Sequence, residues 1–174
     1  MRMMFWAGFA AFSIDQISKY VVIHMMELSR IRSIDVLPPV INFRYGENRG
    51  INFGLFGGGS DASRAILIAL ALVICIAVVM WARKNAHTRI AQMSAGLLVG
   101  GALANVIDRL IYGYVLDFIN MSCCRINNPF VFNLADVFIF AGALGLIFFT
   151  DSDGTGAKGG GKKKPRKATG KKAG

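Results

Sequence analysis

Residues 65–82 read AILIALALVICIAVVMWA, an unbroken run of eighteen apolar side chains. At about 1.5 Å of rise per residue, a helix of this length nearly crosses the ~30 Å hydrocarbon core of a bilayer. The alternative is a helix buried on every side in a large soluble core. A chain of 174 residues has little room for such a core, so the stretch predicts a membrane-spanning helix.

Three further stretches are apolar but carry polar side chains, at about residues 3–26, 90–111 and 130–149. Together with 65–82 they predict an all-α membrane protein with four transmembrane helices, formed by residues 1–150. An even number of spans places both termini on the same side of the membrane.

The composition divides the chain into an apolar body and a basic tail. Hydrophobic residues make up 54% of the chain and charged residues 17%, yet the net charge is +10. A soluble domain has about 25% charged residues, so this composition argues against a soluble enzyme, a disordered protein and a disulfide-framed secreted miniprotein. Eight Lys and Arg lie in residues 151–174, and we expect this segment to be a disordered polybasic cytoplasmic tail that attracts anionic lipid. Nucleic acid is not an expected partner, because no aromatic residue lies between those bases.

The basic residues also predict the orientation. The loop between the second and third predicted spans carries Arg83, Lys84 and Arg89 and no acid. Because loops rich in Lys and Arg stay in the cytoplasm, both termini are predicted to be cytoplasmic. The segments 27–64 and 112–129 then face outward.

The segment after the first span is predicted to form a small β-rich platform on the outer surface, at residues 27–62. Val40–Tyr45 and Ile51–Phe56 have the composition of strands, and Gly46–Gly50 separates them. Pro38 and Pro39 end any helix before them.

Ionisable side chains inside the predicted spans are the candidate functional residues. Each costs about 2.5–3.5 kcal/mol to insert, so such residues are functional candidates by default. The helical rise places most of them near the outer leaflet. The candidates are Asp15, Lys19, Asp108, Arg109 and Asp136, with Asn105 and Asn133 alongside.

The Asp15–Lys19 pair and Arg109 can have a structural role instead of a catalytic one. Asp15 and Lys19 are four residues apart on one helix face, so they can neutralise each other and make the first span insertable. Arg109 is expected to balance a nearby carboxylate in the same way.

Asp117 and Asp136 differ from these pairs, because neither has a basic partner nearby in the sequence. Two carboxylates held close together cannot both ionise easily, so one keeps a proton. The ionised carboxylate can then take a proton from water while the protonated one polarises a carbonyl, as in aspartic proteases. A small proton-coupled membrane transporter can place acids similarly, and a non-catalytic scaffold is a third possibility.

Four segments follow one another in an order that resembles a known family. They are DQISK at 15–19, NRGINFG at 48–54, GGALANVIDRLIYGYVLDF at 100–118 and FNLAD at 132–136. These motifs resemble bacterial lipoprotein signal peptidase, also called signal peptidase II, an aspartic peptidase family. The resemblance covers residues 1–150 and includes the four-span layout.

The resemblance implies an intramembrane aspartic endopeptidase that removes signal peptides from diacylglyceryl-modified prolipoproteins, cutting before the lipid-modified Cys. Asp117 and Asp136 match the catalytic pair. The positions matching substrate-binding or site-supporting residues are Asn48, Gly50, Asn105, Asp108, Arg109, Asn133, Asp15 and Lys19. The family implies no metal or cofactor. We expect a monomer, multi-pass in the bacterial cytoplasmic (inner) membrane, with its active site near the outer leaflet.

The chain departs from the family pattern at a few positions. Ala104 stands where the family usually has Gly, and Ile51-Asn52 replace a usual Ala-Ala pair. Neither change touches the two acids. A transporter does not explain why the acids gather at one leaflet, and a scaffold does not need both Asp117 and Asp136.

Overall fold

The computed structural model describes residues 1–50, 61–122 and 128–150. The chain is mostly helical in these residues and includes one small sheet. In chain order the elements are α1 (Arg2–Lys19), α2 (Leu28–Ile31), β1 (Ser33–Leu37), β2 (Ile41–Asn48), α3 (Asp61–Asn85), α4 (Arg89–Ile111), β3 (Val115–Met121) and α5 (Leu134–Thr150). A π-helical segment, Tyr20–Met25, continues α1.

Among the described residues, two helices are long and apolar enough to cross a membrane. They are α3, with a mean hydropathy of 3.0, and α4, with 1.6. Helix α5 is apolar but shorter. Most of α3 is exposed on the protein surface although its side chains are apolar, which is what a lipid-facing helix requires.

Helix α4 is the centre of the helical body, because α1, α3 and α5 all pack against it. Small residues make this packing close. A Cβ placed on Gly100 would collide with the backbone of Gly8 in α1, and one on Gly142 of α5 would lie 2.5 Å from the Ser94 carbonyl oxygen in α4. Small residues at such contacts let helix backbones approach, which is the main source of helix association in lipid.

The three strands form an antiparallel sheet in the order β1-β2-β3. Gly46 of β2 pairs with Asp117 of β3, and Asn48 pairs with Val115. An apolar cluster attaches the sheet to the end of the first helix, and its buried members are Val22, Ile23, Leu28, Leu116 and Phe118. The sheet therefore lies at the end of the bundle that holds Lys19, the last residue of α1.

The observed strands β1 and β2 differ from the strands predicted for the platform. The predicted strand Val40–Tyr45 lies mostly within β2, but β2 continues through Gly46 to Asn48 instead of turning there. Strand β1 was not predicted. The predicted strand Ile51–Phe56 lies outside the described residues, as do the predicted tail and the Ile51-Asn52 departure.

Two corrections concern the candidate acids. The segment 112–129 was predicted as an outward loop, yet Asp117 lies in strand β3, which is buried along most of its length. The apolar stretch that starts at Phe130 becomes helical only at Leu134. Asp136 is therefore in the first turn of α5, closer to the helix end than the sequence suggested.

We expect Gly100→Val to lower the melting temperature of the purified protein in detergent by several degrees. The added side chain would push against the Gly8 backbone, and overpacking of this kind costs about 1–3 kcal/mol. Ala69→Val is the matched control, because Ala69 is exposed on α3. Equal melting temperatures for the two variants would contradict the close α1–α4 contact.

Candidate active site

A buried lysine pairs with two buried aspartates between α1 and α4. The Lys19 Nζ lies 2.7 Å from Asp15 Oδ2 and 2.6 Å from Asp108 Oδ2. All three side chains are at most 3% exposed. The predicted Asp15–Lys19 pair is thus present, and Asp108 joins it from α4.

The two aspartates of this cluster also bind backbone groups from other elements. Asp15 Oδ1 accepts a hydrogen bond from the Ala135 N–H at 2.8 Å, at the start of α5. Asp108 Oδ2 accepts one from the Leu116 N–H at 3.1 Å, in β3. The cluster therefore connects α1, α4, α5 and β3 through charge-assisted hydrogen bonds.

Gln16 also belongs to this cluster, although it was not among the predicted site residues. Its Nε2 donates to Asp108 Oδ1 at 2.9 Å. The sequence does contain a signal for this role, because Gln16 is a polar residue next to Asp15 inside an apolar stretch.

Asn133 and Asp136 cap helix α5 reciprocally. The Asp136 N–H donates to Asn133 Oδ1 at 2.9 Å, and the Asn133 N–H donates to Asp136 Oδ2 at 3.4 Å. This capping box satisfies two backbone donors at the helix start and fixes the direction of both side chains. Asn133 is the residue before the helix, and Asp136 lies in its first turn.

Two asparagine amides connect Asp117 to Asp136. Asn133 Nδ2 donates to Asp117 Oδ1 at 2.6 Å and to Asn105 Oδ1 at 3.3 Å. Asn105 Nδ2 in turn donates to Asp136 Oδ1 at 2.9 Å. The structure thus brings the two acids of the predicted pair into one hydrogen-bonded network, although they lie on different elements.

The two acids have different environments. Asp117 is 3% exposed, whereas Asp136 is only partly buried. Burial and the charge of Asp136 raise the pKa of Asp117 to about 7, although hydrogen bonds from Asn133 and Asn48 oppose this. Asp117 can therefore carry a proton near neutral pH.

The remaining candidates surround this network. Asn48 binds Asp117 and accepts the Gly50 N–H at 3.1 Å. Gly50 has a φ of 94°, which favours glycine, and its backbone lies against the Leu67 side chain of α3. The Arg109 Nη1 donates to the Asn105 carbonyl oxygen at 3.2 Å.

The site offers carboxylates and amides, and the described part of the chain holds no group of three or more His, Cys, Asp or Glu placed to bind a metal ion. A buried neutral acid and a second, partly solvated carboxylate can together activate a water molecule and polarise a carbonyl.

We expect Lys19→Met to destabilise the protein by about 3–5 kcal/mol, because it leaves Asp15 and Asp108 buried without their cation. Chemical denaturation in detergent measures this loss. Arg30→Met is the control, since Arg30 pairs with Glu27 at the exposed surface and its side chain is 80% exposed. A similar stability for the two variants would contradict the structural role of the buried cluster.

Comparison with known proteins places these residues in a family. The profile of the family described as signal peptidase (SPase) II matches residues 8–150. A lipoprotein signal peptidase of Rhodopseudomonas palustris is 34% identical over 145 residues, covering 82% of this chain and 87% of the relative. One from Actinobacillus succinogenes is 38% identical over 154 residues, covering 88% and 91%.

The fold agrees with the sequence comparison. A bacterial membrane enzyme solved by the in meso method at 1.9 Å resolution superposes with a TM-score of 0.74. It is 27% identical, and the match covers 88% of this chain and 95% of that enzyme. On the matched profile and relatives, the chain belongs to the signal peptidase II family of aspartic peptidases.

Proposed function

We propose that this protein removes signal peptides from diacylglyceryl-modified prolipoproteins, cutting before the lipid-modified cysteine. The family supports this reaction, since the relatives are lipoprotein signal peptidases. The observation that carries the assignment of residues is the network in which Asn133 and Asn105 join Asp117 to Asp136. Nothing in the comparisons favours a transporter.

The different environments of the two acids suggest their roles. Asp136 lies in the first turn of α5, where the helix dipole favours a negative charge, and is partly accessible to solvent. We assign it as the base that takes a proton from the attacking water. Asp117 is buried and carries a proton near neutral pH, so it donates a hydrogen bond to the scissile carbonyl oxygen.

The remaining steps follow from proton balance. Water attacks the scissile carbonyl carbon as Asp136 takes its proton, and the carbonyl oxygen of the tetrahedral intermediate is stabilised by Asp117. Collapse of this intermediate breaks the peptide bond as Asp136 passes the proton that it took from water to the leaving amine of the lipid-modified cysteine. Holding substrate, water and both acids together supplies much of the rate.

The proposed setting is the bacterial cytoplasmic membrane. Helices α1 and α5 join α3 and α4 as spans, both termini are cytoplasmic, and the sheet lies on the outer surface. Trp6 and Phe9 of α1 and Phe140 of α5 support this, because these large apolar side chains are more than half exposed. The acids then lie near the outer leaflet, where a lipid-anchored substrate presents its scissile bond.

Residues 151–174 complete the proposed setting. Their Lys and Arg side chains would contact anionic lipid at the cytoplasmic surface, where each base contributes about 1 kcal/mol. We propose that the enzyme works as a monomer, without metal or cofactor.

The Ala104 departure is compatible with this function. Ala104 is fully buried in α4, and its carbonyl oxygen accepts a hydrogen bond from Gln16 Nε2 at 3.4 Å. The helix interface therefore accommodates the additional methyl group of Ala104.

Asp117→Asn and Asp136→Asn should each reduce cleavage of a purified diacylglyceryl-modified prolipoprotein at least about 10²-fold, because each removes one proton-transfer group. Gel shift of the precursor measures the rate, and a melting curve verifies folding. Asp61→Asn is the control, since the Asp61 side chain is 91% exposed. Folded dyad variants that cleave as fast as the control would disprove these roles.

Activity should show a bell-shaped pH profile. Asp117 must be protonated, and its pKa is raised to about 7, so the rate falls as pH rises through this value. The acidic limb of the profile reflects loss of the ionised base that the reaction requires. A flat profile between acidic and alkaline pH would count against the dyad.

Asn48→Ala should move the alkaline limb of this profile upward by up to about one pH unit. The Asn48 hydrogen bond lowers the pKa of Asp117, so its removal keeps Asp117 protonated to higher pH. Asn42→Ala, in the same strand, should leave the limb in place. A downward shift for Asn48→Ala would contradict the role of Asp117 as the acid.

A further inference from the structure

The side-chain amide of Asn105 lies between groups of opposite hydrogen-bonding character. Its Oδ1 is 3.4 Å from Lys19 Nζ, and its Nδ2 is 2.9 Å from Asp136 Oδ1. A lysine ammonium only donates hydrogen bonds, and an ionised carboxylate only accepts them. The amide therefore satisfies both neighbours in one orientation alone, with its oxygen towards Lys19.

The same direction continues through Asn133. Because Asn105 presents its oxygen, Asn133 must present Nδ2 to it, and that nitrogen also donates to Asp117 Oδ1 at 2.6 Å. The Asn133 Oδ1 is then free to accept the Asp136 N–H at 2.9 Å. Lys19 and Asn133 thus both donate to Asn105 Oδ1, and the two amides donate to the carboxyl groups of Asp136 and Asp117.

This direction matters because Asp117 can be protonated, and a protonated carboxyl donates as well as accepts. A protonated Asp117 therefore does not determine the direction of the Asn133 amide, which the Asp136 N–H holds instead. If the Asn105 amide turned round, its oxygen would face the Asp136 carboxylate, and two acceptors would repel each other. Asp136 would then lose its 2.9 Å hydrogen bond from Asn105 and keep the longer one, at 3.4 Å, from the Asn133 N–H.

Other charged groups near Asp136 do not perform this task. Arg109 from α4 interacts with Asp136 electrostatically, but its hydrogen bond goes to the Asn105 backbone carbonyl. Asp117 from β3 contributes negative charge. Lys19 is the cation that contacts the Asn105 side chain, and at 3% exposure it cannot reach a substrate.

We propose that Lys19 is a positioning residue for the reaction, because its ammonium group holds the Asn105 amide in the direction that presents an N–H group to Asp136. This inference rests on the proposed function. It adds a role in catalysis to the structural role of the buried ion cluster.

The test compares Lys19→Arg, which still only donates, with the double variant Asp15→Asn/Lys19→Gln. Glutamine both donates and accepts, so it no longer imposes a direction on Asn105. The double variant keeps the net charge of the cluster at −1, because it removes one acid and one base. Asp15→Asn alone is the control for the lost acid.

For the double variant we expect kcat on a diacylglyceryl-modified prolipoprotein to fall about 10²-fold relative to Asp15→Asn, with KM unchanged. Lys19→Arg should retain kcat within about tenfold of wild type. The proposal is overturned if the double variant and Asp15→Asn share the same kcat at a temperature where melting curves show both folded. Inactivity of wild type would instead count against the proposed function.

A second measurement does not depend on whether the variants fold. NMR of wild type labelled with ¹⁵N-asparagine and ¹³C-aspartate should show a coupling across the hydrogen bond from Asn105 Nδ2 to the Asp136 carboxyl carbon. Absence of this coupling, with the Asn133–Asp117 coupling present, would show that the Asn105 amide points the other way.

Discussion

The structure depends on one buried cation, the Lys19 ammonium, held between Asp15 and Asp108. Charges inside a membrane protein are costly, and three of them persist here because they neutralise one another and bind backbone donors. Those donors are the N–H groups of Leu116 in β3 and Ala135 in α5. A single cluster therefore sets the position of the sheet and of helix α5 relative to α1 and α4.

The acids receive their positions from this arrangement. The cluster holds the first turn of α5, the capping box with Asn133 orients Asp136, and pairing with β2 orients Asp117. The two carboxyl groups then differ in their environment, because Asp117 is buried and Asp136 is partly exposed. The same contacts hold the helical body together and orient the proposed catalytic pair, which is why the buried ion cluster and the two acids lie side by side.

The sequence predicts the parts of this protein that depend on local patterns. The run 65–82 predicted α3, and i, i+4 spacing predicted the Asp15–Lys19 pair. Contacts between distant segments were not predictable in this way, so the pairing of Lys19 with Asp108 was missed. Strand β3 was missed because it is buried on both faces and lacks the alternation that marks a half-exposed strand. Asp117 was singled out because it lacks a basic partner nearby in the sequence. Only the resemblance then matched it to a catalytic pair, since spacing alone did not distinguish it from an acid in a transporter.

The most direct measurement treats the purified protein with two forms of one prolipoprotein, with and without the diacylglyceryl group, and determines product masses by mass spectrometry. We expect the lipid-modified form to be cut before its modified cysteine and the unmodified form to stay intact. An intact lipid-modified precursor, or a cut at another bond, would contradict the assigned function.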